Sequence, residues 1–386
     1  MPENGTGTPF AISRITLTDF RNYGALRLEA KPGLIALVGM NGAGKTNLLE
    51  AISMLSPGRG LRSAEAASLG RKLGEGSWAV SARVAGPGGE TQLGTAWSPS
   101  ENEGPAAPRA VLINGHLQRS SAALAEHVRI AWLTPAQDRL FVGPSAERRR
   151  YLDRMVALFD VAHAARVTGF EKLMRERNIL LQDGAGDATW LTSLESQMAE
   201  LAVAIAAARL FAAQKLNVEL AQEKLPAPFP WGSLAIEGEV EELVSGLPAL
   251  SAEDSYRQQL RSGRPLDRAA GRTLMGPHRS DFTVLHGPKQ IAAAESSTGE
   301  QKALLIGLLL AQARAIGAVA GAAPILLLDE VTAHLDKARK LALFGILQDM
   351  GLQAWMTGTE PQVFDGVGAS TVVYQVDQGT LHESKF

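Results

Sequence analysis

The stretch Gly39-Met40-Asn41-Gly42-Ala43-Gly44-Lys45-Thr46 has the spacing G-x-x-x-x-G-K-[ST]. These residue types suit a chain of phosphates. Glycines let backbone N–H groups converge on phosphate oxygens where a side chain would collide. Lys45 is spaced to reach the β- and γ-phosphates, and the Thr46 hydroxyl to bind Mg²⁺. A second constellation is Asp329-Glu330, two carboxylates closing the apolar run Ile325-Leu326-Leu327-Leu328. Beside a phosphate loop, Asp329 suits a Mg²⁺ shell and Glu330 suits a base that takes a proton from an attacking water. A third is Ser296-Ser297-Thr298-Gly299-Glu300-Gln301-Lys302, about 30 residues before the carboxylates, ahead of an Ala/Leu/Ile-rich helical pattern. A hydroxyl- and glycine-bearing helix N-terminus is an anion site through its free N–H groups and dipole. The same residues also make a capping box, and both readings can hold together.

Each constellation needs an element to hold it. Leu34 to Val38, just before the glycines, is a short apolar run suited to a buried parallel strand. Leu48, Leu49, Ala51, Ile52 and Leu55 then recur at helical spacing, so the helix starts at the phosphates. Strand, loop and helix together make the P-loop reading specific. The Asp-Glu pair closes a second buried strand, which places the class as α/β.

The composition sets bounds. With 386 residues the chain has room for two or three domains. Hydrophobic content of 45% and charged content of 20% are those of an ordinary globular protein. There is no cysteine, which excludes disulfides and thiolate metal sites and fits a reducing, cytoplasmic setting. The seven histidines show no ligand spacing. The N-terminal residues lack the basic start and apolar centre of a signal peptide. Ala303 to Leu328 is the most apolar long stretch, but Gln312, Arg314 and Pro324 interrupt it, so it reads as a helix and a strand with no membrane role. A net charge of −2 gives no global pull toward nucleic acid, so any such role must rest on local basic clusters.

Along the chain, Ile12 to Leu17 alternates like an edge strand, and Asp19-Phe20-Arg21-Asn22-Tyr23 leads to a second strand near Leu26. Arg21 and Tyr23 suit either contact with adenine or ribose, or a charged turn with a packed aromatic. Pro57-Gly58-Arg59-Gly60-Leu61-Arg62 is a basic loop. Ala79 to Gly115 reads as an antiparallel sheet with a hairpin at Asn114-Gly115, and Glu101 to Pro108 as a loop tip. A strand follows at Arg129 to Leu133, then Gln137, then Ser145 as a helix N-cap before Arg148-Arg149-Arg150. Trp190, Leu194, Met198, Leu201, Ile205, Ala208, Ala212 and Leu216 step by three or four. That stripe suits a coiled-coil partner or, more simply, an antiparallel pair with the helix from Phe170 to Leu181. Tyr256 to Arg279 is the most basic stretch, and Gly263 and Pro265 predict that it is not one helix.

Together these motifs resemble an ABC-type ATPase head: Walker A, the Ser297-Thr298-Gly299-Glu300-Gln301 signature, Leu-Leu-Leu-Asp-Glu, and a D-loop at Ala333-His334-Leu335-Asp336. Only roughly 250 residues separate P-loop and signature, without the heptads of a long SMC coiled coil. The finer pattern resembles the RecF family of bacterial recombination mediators. It is carried by Asp19-Phe20-Arg21-Asn22-Tyr23, Thr46-Asn47-Leu48-Leu49-Glu50-Ala51-Ile52, Pro57-Gly58-Arg59-Gly60-Leu61-Arg62 and Arg148-Arg149-Arg150-Tyr151-Leu152-Asp153. Gly276-Pro277-His278-Arg279-Ser280-Asp281 and Asp329 to Asp336 complete it.

The resemblance implies an ABC-type head with a mixed sheet, formed by residues 1–145 and 270–386, and an inserted helical lobe with antiparallel helices at 146–269. It implies an ATP- and Mg²⁺-dependent homodimer with slow, DNA-stimulated hydrolysis acting as a switch. ATP would lie on Gly39 to Asn47 with Arg21, and Lys45 and Glu330 would be catalytic. Thr46, Asp329 and Gln137, at the Q-loop position, would face the metal. Ser297, Thr298, Gly299 and Glu300 would meet the γ-phosphate in trans, beside the D-loop Asp336. Arg148, Arg149, Arg150 and Arg279 would contact DNA, and RecO and RecR would be partners in loading RecA during repair, replication and the SOS response. For Arg279, beside Asp281, an internal salt bridge is an equal alternative. The competing classes are a phage-defence or SMC-like ATPase, a transporter ATPase and a P-loop phosphotransferase. The signature argues against the phosphotransferase, which needs no γ-phosphate site in trans.

Overall fold

The computed structural model describes residues 8–99, 108–183, 188–221, 227–333, 335–368 and 370–384. Of the expected loop tip at 101–108 only Pro108 is among them, and His334 of the expected D-loop lies outside them. The chain divides into two compact units. One comprises Met1–Asp138, Leu225–Pro230 and Thr298–Phe386; the other comprises Arg139–Lys224 and Trp231–Ser297.

The first unit holds two six-stranded sheets. One is antiparallel, built from β1 (Ala11–Phe20), β2 (Tyr23–Glu29), β4 (Trp78–Gly86), β5 (Gly89–Trp97), β6 (Ala110–Ile113) and β7 (His116–Leu117) in the order β2-β1-β4-β5-β6-β7. The expected edge strand β1 is interior, pairing with β2 on one side and β4 on the other. Its alternation reflects only one fully covered face, and one covered face is compatible with either position in a sheet.

The second sheet positions the phosphate loop. Its strands are β3 (Leu34–Val38), β8 (Ile130–Leu133), β12 (Ile325–Leu328), β13 (Ala354–Gly358), β14 (Val372–Asp377) and β15 (Thr380–Ser384), ordered β15-β14-β3-β13-β12-β8. All neighbours are parallel except β14 and β15. β3, β8, β12 and β13 are buried at every residue, the pattern of parallel strands covered on both faces. α1 (Lys45–Ser53), α7 (Thr298–Ala320) and α8 (Lys337–Asp349) complete the unit. α7 is apolar and long enough to cross a membrane, yet 72% of its most apolar window is buried. The expected break near Pro324 is the boundary between α7 and β12.

The second unit contains α2 (Ser145–Ala157), α3 (His163–Asp183), α4 (Ala188–Leu220), α5 (Glu239–Gly246) and α6 (Ala249–Ala270). Gly169 lies against Leu201, and Arg177 bonds Glu195, so α3 and α4 run antiparallel. Trp190 is 54% exposed, whereas Leu194, Met198, Ala202, Ile205 and Leu216 are buried, so the buried stripe leaves Trp190 out. α6 is a single helix that contains Gly263 and Pro265, against the expectation of a break. Ala252, Tyr256 and Leu260, four residues apart, are buried with Met198, Ala202 and Phe170. That anchorage offsets the missing proline N–H. A three-stranded antiparallel sheet, in the order β11 (Ile291–Ala292), β10 (Asp281–His286) and β9 (Gly232–Glu237), also belongs to this unit. Sequence reading did not find it.

Candidate nucleotide site

The loop from Gly39 to Gly44 joins β3 to the N-terminus of α1, outside the C-terminal ends of the parallel strands, where α/β sheets bind ligands. Gly44 adopts φ +117° directly before the helix. A Cβ there would stand 2.5 Å from Asn22 Nδ2, so only glycine fits. Asn22 Nδ2 donates to Ala43 O at 3.1 Å, and the buried Tyr23 hydroxyl donates to Gly44 O at 3.0 Å. Asn47 Nδ2 donates to Asn22 Oδ1 at 2.7 Å. The turn from Phe20 to Tyr23 thus holds the loop from behind.

Lys45 is buried, and its ammonium donates to Gly39 O at 2.6 Å and Met40 O at 3.0 Å. Burial lowers its pKa, while Glu330 and then Asp329 pull it back up. Thr46 Oγ1 donates to Asp329 Oδ1 at 2.9 Å. Thr357, at the end of β13, donates to the same oxygen at 2.9 Å and accepts the Glu330 N–H at 2.8 Å. Glu330 has φ +49°. A hydroxyl and a carboxylate oxygen this close are hard donors and fit Mg²⁺.

Around this centre, Arg21 makes a bidentate pair with Glu50, 2.8 Å from Nε to Oε2 and 2.9 Å from Nη2 to Oε1. The Glu50 side chain is fully buried one turn beyond Thr46. Arg62 also reaches Glu50, at 3.1 Å, and Asn47 Oδ1, at 2.8 Å. Gln137 Oε1 accepts the Thr134 N–H at 2.9 Å in a capping box. Its neighbour Asp138 accepts from the buried Lys302 of α7 at 2.5 Å. Thr298, Gly299 and Glu300 open α7, and the exposed Ser297 directly precedes it. Asp336 caps α8 by accepting the Arg339 N–H at 2.8 Å. Sequence reasoning gave no role to Asn22, Glu50 or Lys302. Glu50 carried one signal, a carboxylate amid the buried positions of α1.

In the second unit, Arg148 is bonded to Asp281 at 2.8 and 2.6 Å and to Gly143 O at 2.5 Å. The Asp281 hydrogen bond raises its pKa. Arg149 donates to Ser280 O at 3.1 Å; burial lowers its pKa, and Arg209 and Arg279 push the same way. Arg150 and Arg279 are exposed. Gly276, at φ +141°, makes the tight turn before Arg279; a Cβ would lie 2.5 Å from Tyr256 Oη. Arg264 and the buried Arg177 both bond Glu195. Arg177 also bonds Asp267, and Arg209 bonds Asp153 and Glu241, so these cations serve the fold.

Comparison with known proteins places these features in a lineage. The family described as RecF/RecN/SMC N terminal domain matches residues 11–382. The chain is 50% identical over 372 residues to a DNA replication and repair protein RecF from Mesorhizobium japonicum, covering 96% of this chain and 97% of that one. It is 48% identical over 374 residues to the Brucella suis protein of the same name, covering 96% of each. Among solved structures it is similar to the recombination mediator protein RecF-ATPrS in the RecFOR pathway. That match has a TM-score of 0.85 and 22% identity over 98% of this chain and 100% of that one. An Smc head domain from Pyrococcus furiosus gives a TM-score of 0.54 and 16% identity over 97% of this chain and 96% of that one, a likeness of fold.

Proposed function

The chain belongs to the RecF DNA replication and repair proteins of the RecF/RecN/SMC family, and from that premise we propose that it is an ATP-gated dimeric DNA clamp. In this reading it mediates recombination in the cytoplasm with RecO and RecR, helping to load RecA at gapped or single-strand–duplex DNA. The observation that supports the reading is the 2.9 Å contact of the phosphate-loop Thr46 hydroxyl with Asp329, directly before Glu330.

The steps follow from this chain's own groups. The triphosphate lies along the loop N–H groups from Asn41 to Thr46. The Lys45 ammonium exchanges the carbonyls of Gly39 and Met40 for phosphate oxygens, a stronger charge-assisted pairing in a dry site. Thr46 and Asp329, with Gln137 from the Q-loop, would hold Mg²⁺, which would supply charge neutralisation on the phosphates. Glu330 accepts a proton from the attacking water. Ser297 and the first turn of α7 in a second copy close on the γ-phosphate, so that the dimer persists while ATP is intact. Arg149, Arg150 and Arg279 offer cations to DNA phosphates.

The test is Glu330→Gln. It keeps shape and hydrogen bonding but removes the base, so ATP-dependent dimers should accumulate in sedimentation while turnover falls at least about 100-fold. Wild-type turnover in this variant removes Glu330 from the chemistry.

A further inference from the structure

The strand order makes β13 the middle strand between the two that carry the nucleotide-site residues. β3 leads to Lys45 and Thr46 on one side, and β12 leads to Asp329 and Glu330 on the other. In register, Thr357 of β13 lies beside Leu37 of β3, one residue beyond the Met356–Leu328 pair with β12. A side chain at this position is the one that can reach across to the end of β12. Thr357 is fully buried. Its single hydroxyl is used twice, donating to Asp329 Oδ1 at 2.9 Å and accepting the Glu330 N–H at 2.8 Å.

We propose that Thr357 is a positioning residue for ATP hydrolysis, joining the Asp329 carboxylate and the Glu330 backbone into one rigid unit. The proposal rests on the ATPase reading of this site. A buried threonine at a strand end often satisfies only a nearby backbone group. Here both partners belong to the two residues assigned to metal and water. Thr46 converges on the same Asp329 oxygen, so that oxygen is held by one hydroxyl from α1 and one from β13. Glu330 sits at φ +49°, a backbone state that costs a non-glycine residue energy and persists only when its surroundings hold it. The Thr357 hydroxyl is the partner of that peptide's N–H. The threonine is itself held firmly. Its β-branch restricts χ1, and Phe364 packs where a Cβ on the next residue, Gly358, would stand. Glu330 and Thr357 also share the wall of a cavity of about 220 Å³ that reaches Lys340 and Thr359. It has room for the water that Glu330 would deprotonate.

The consequence is a split between binding and turnover. The nucleotide is held by the loop and Lys45, which Thr357 does not touch. The hydroxyl orients groups used in the chemical step. Thr357→Val keeps the branched shape without the hydroxyl, Thr357→Ala removes it with less volume, and Thr357→Ser restores it. Loss of a hydrogen bond that orients site ligands lowers activity by about 10- to 100-fold. The expected result for both hydroxyl-free variants is a fall in kcat within that range. Affinity for MgATP, measured by calorimetry or a fluorescent analogue, should stay within about threefold of wild type, and the serine variant should return to within about threefold in kcat.

Two outcomes overturn the proposal. One is wild-type kcat in the valine and alanine variants. The other is a loss of MgATP affinity as large as the loss of turnover, which marks a purely structural role and includes the case of misfolding. Wild-type protein with no ATP turnover, alone or with DNA, instead fails the ATPase reading itself.

Discussion

The Thr46 hydroxyl and the Asp329 carboxylate, 283 positions apart in the chain, meet at 2.9 Å. Their strands, β3 and β12, are not neighbours; β13 separates them. The contact is made because Asp329 directly follows β12 while the loop from Gly39 to Gly44 starts α1, with Thr46, on the same C-terminal side of the sheet. Everything assigned to the nucleotide depends on that convergence.

Lys45→Ala removes a buried ammonium held at the phosphate loop by the carbonyls of Gly39 and Met40. Phosphate charge then meets carboxylates without its main cation. Nucleotide affinity should fall by about 100-fold or more, read by calorimetry. Unchanged affinity would remove Lys45 from the site.

Ser297→Arg places bulk and charge at an exposed position directly before α7. ATP-dependent dimers should disappear in sedimentation velocity runs. ATP binding by the monomer should stay within about threefold of wild type, because the loop from Gly39 to Thr46 is untouched. Normal dimerisation would move the contact away from the signature.

The arginines separate into two kinds. Arg148 is tied to Asp281, so Arg148→Ala should lower stability to urea by about 1–3 kcal/mol. Arg150 and Arg279 are exposed, and replacing both with alanine should leave stability nearly unchanged. DNA affinity should drop at moderate salt, and the slope of log K against log salt should shrink by about 0.9 for each phosphate left without its cation. An unaltered slope in the double variant would place the DNA surface elsewhere.

His278 yields a pH dependence. Burial lowers its pKa, and Arg279 and Arg149 add to that against Asp267 and the Thr273 carbonyl. The unfolded state therefore binds a proton at a pH where the folded state does not. Stability is fully present above the ordinary histidine pKa of about 6.5 and is lost as pH falls from there toward the depressed folded value. Chemical unfolding between pH 7 and pH 5 should show that decline, and it should be shallower in His278→Gln. Identical pH profiles would count against a buried neutral imidazole.

Local pattern was enough for the α/β class, the strand–loop–helix of Leu34 to Leu55 and the carboxylate pair after Ile325 to Leu328. Such features are local: a glycine spacing, an apolar run and a helical period all act within a few residues. It also made the helical insertion legible through the stripe of α4. Tertiary structure alone decided partnerships. Arg21 carries the same charge whether it meets a ribose or Glu50, and only the fold brings Glu50 to its fork at 2.8 Å. Arg148 looked as available as Arg150 until β10 brought Asp281 beside it. α6 passes through Pro265 because Tyr256 and Leu260 are anchored in a core that no local pattern records. Thr357 was one residue in a strand; the order β3-β13-β12 put its hydroxyl between Asp329 and Glu330. Local pattern reports what a segment prefers, whereas a buried hydrogen bond depends on which distant segment arrives to receive it.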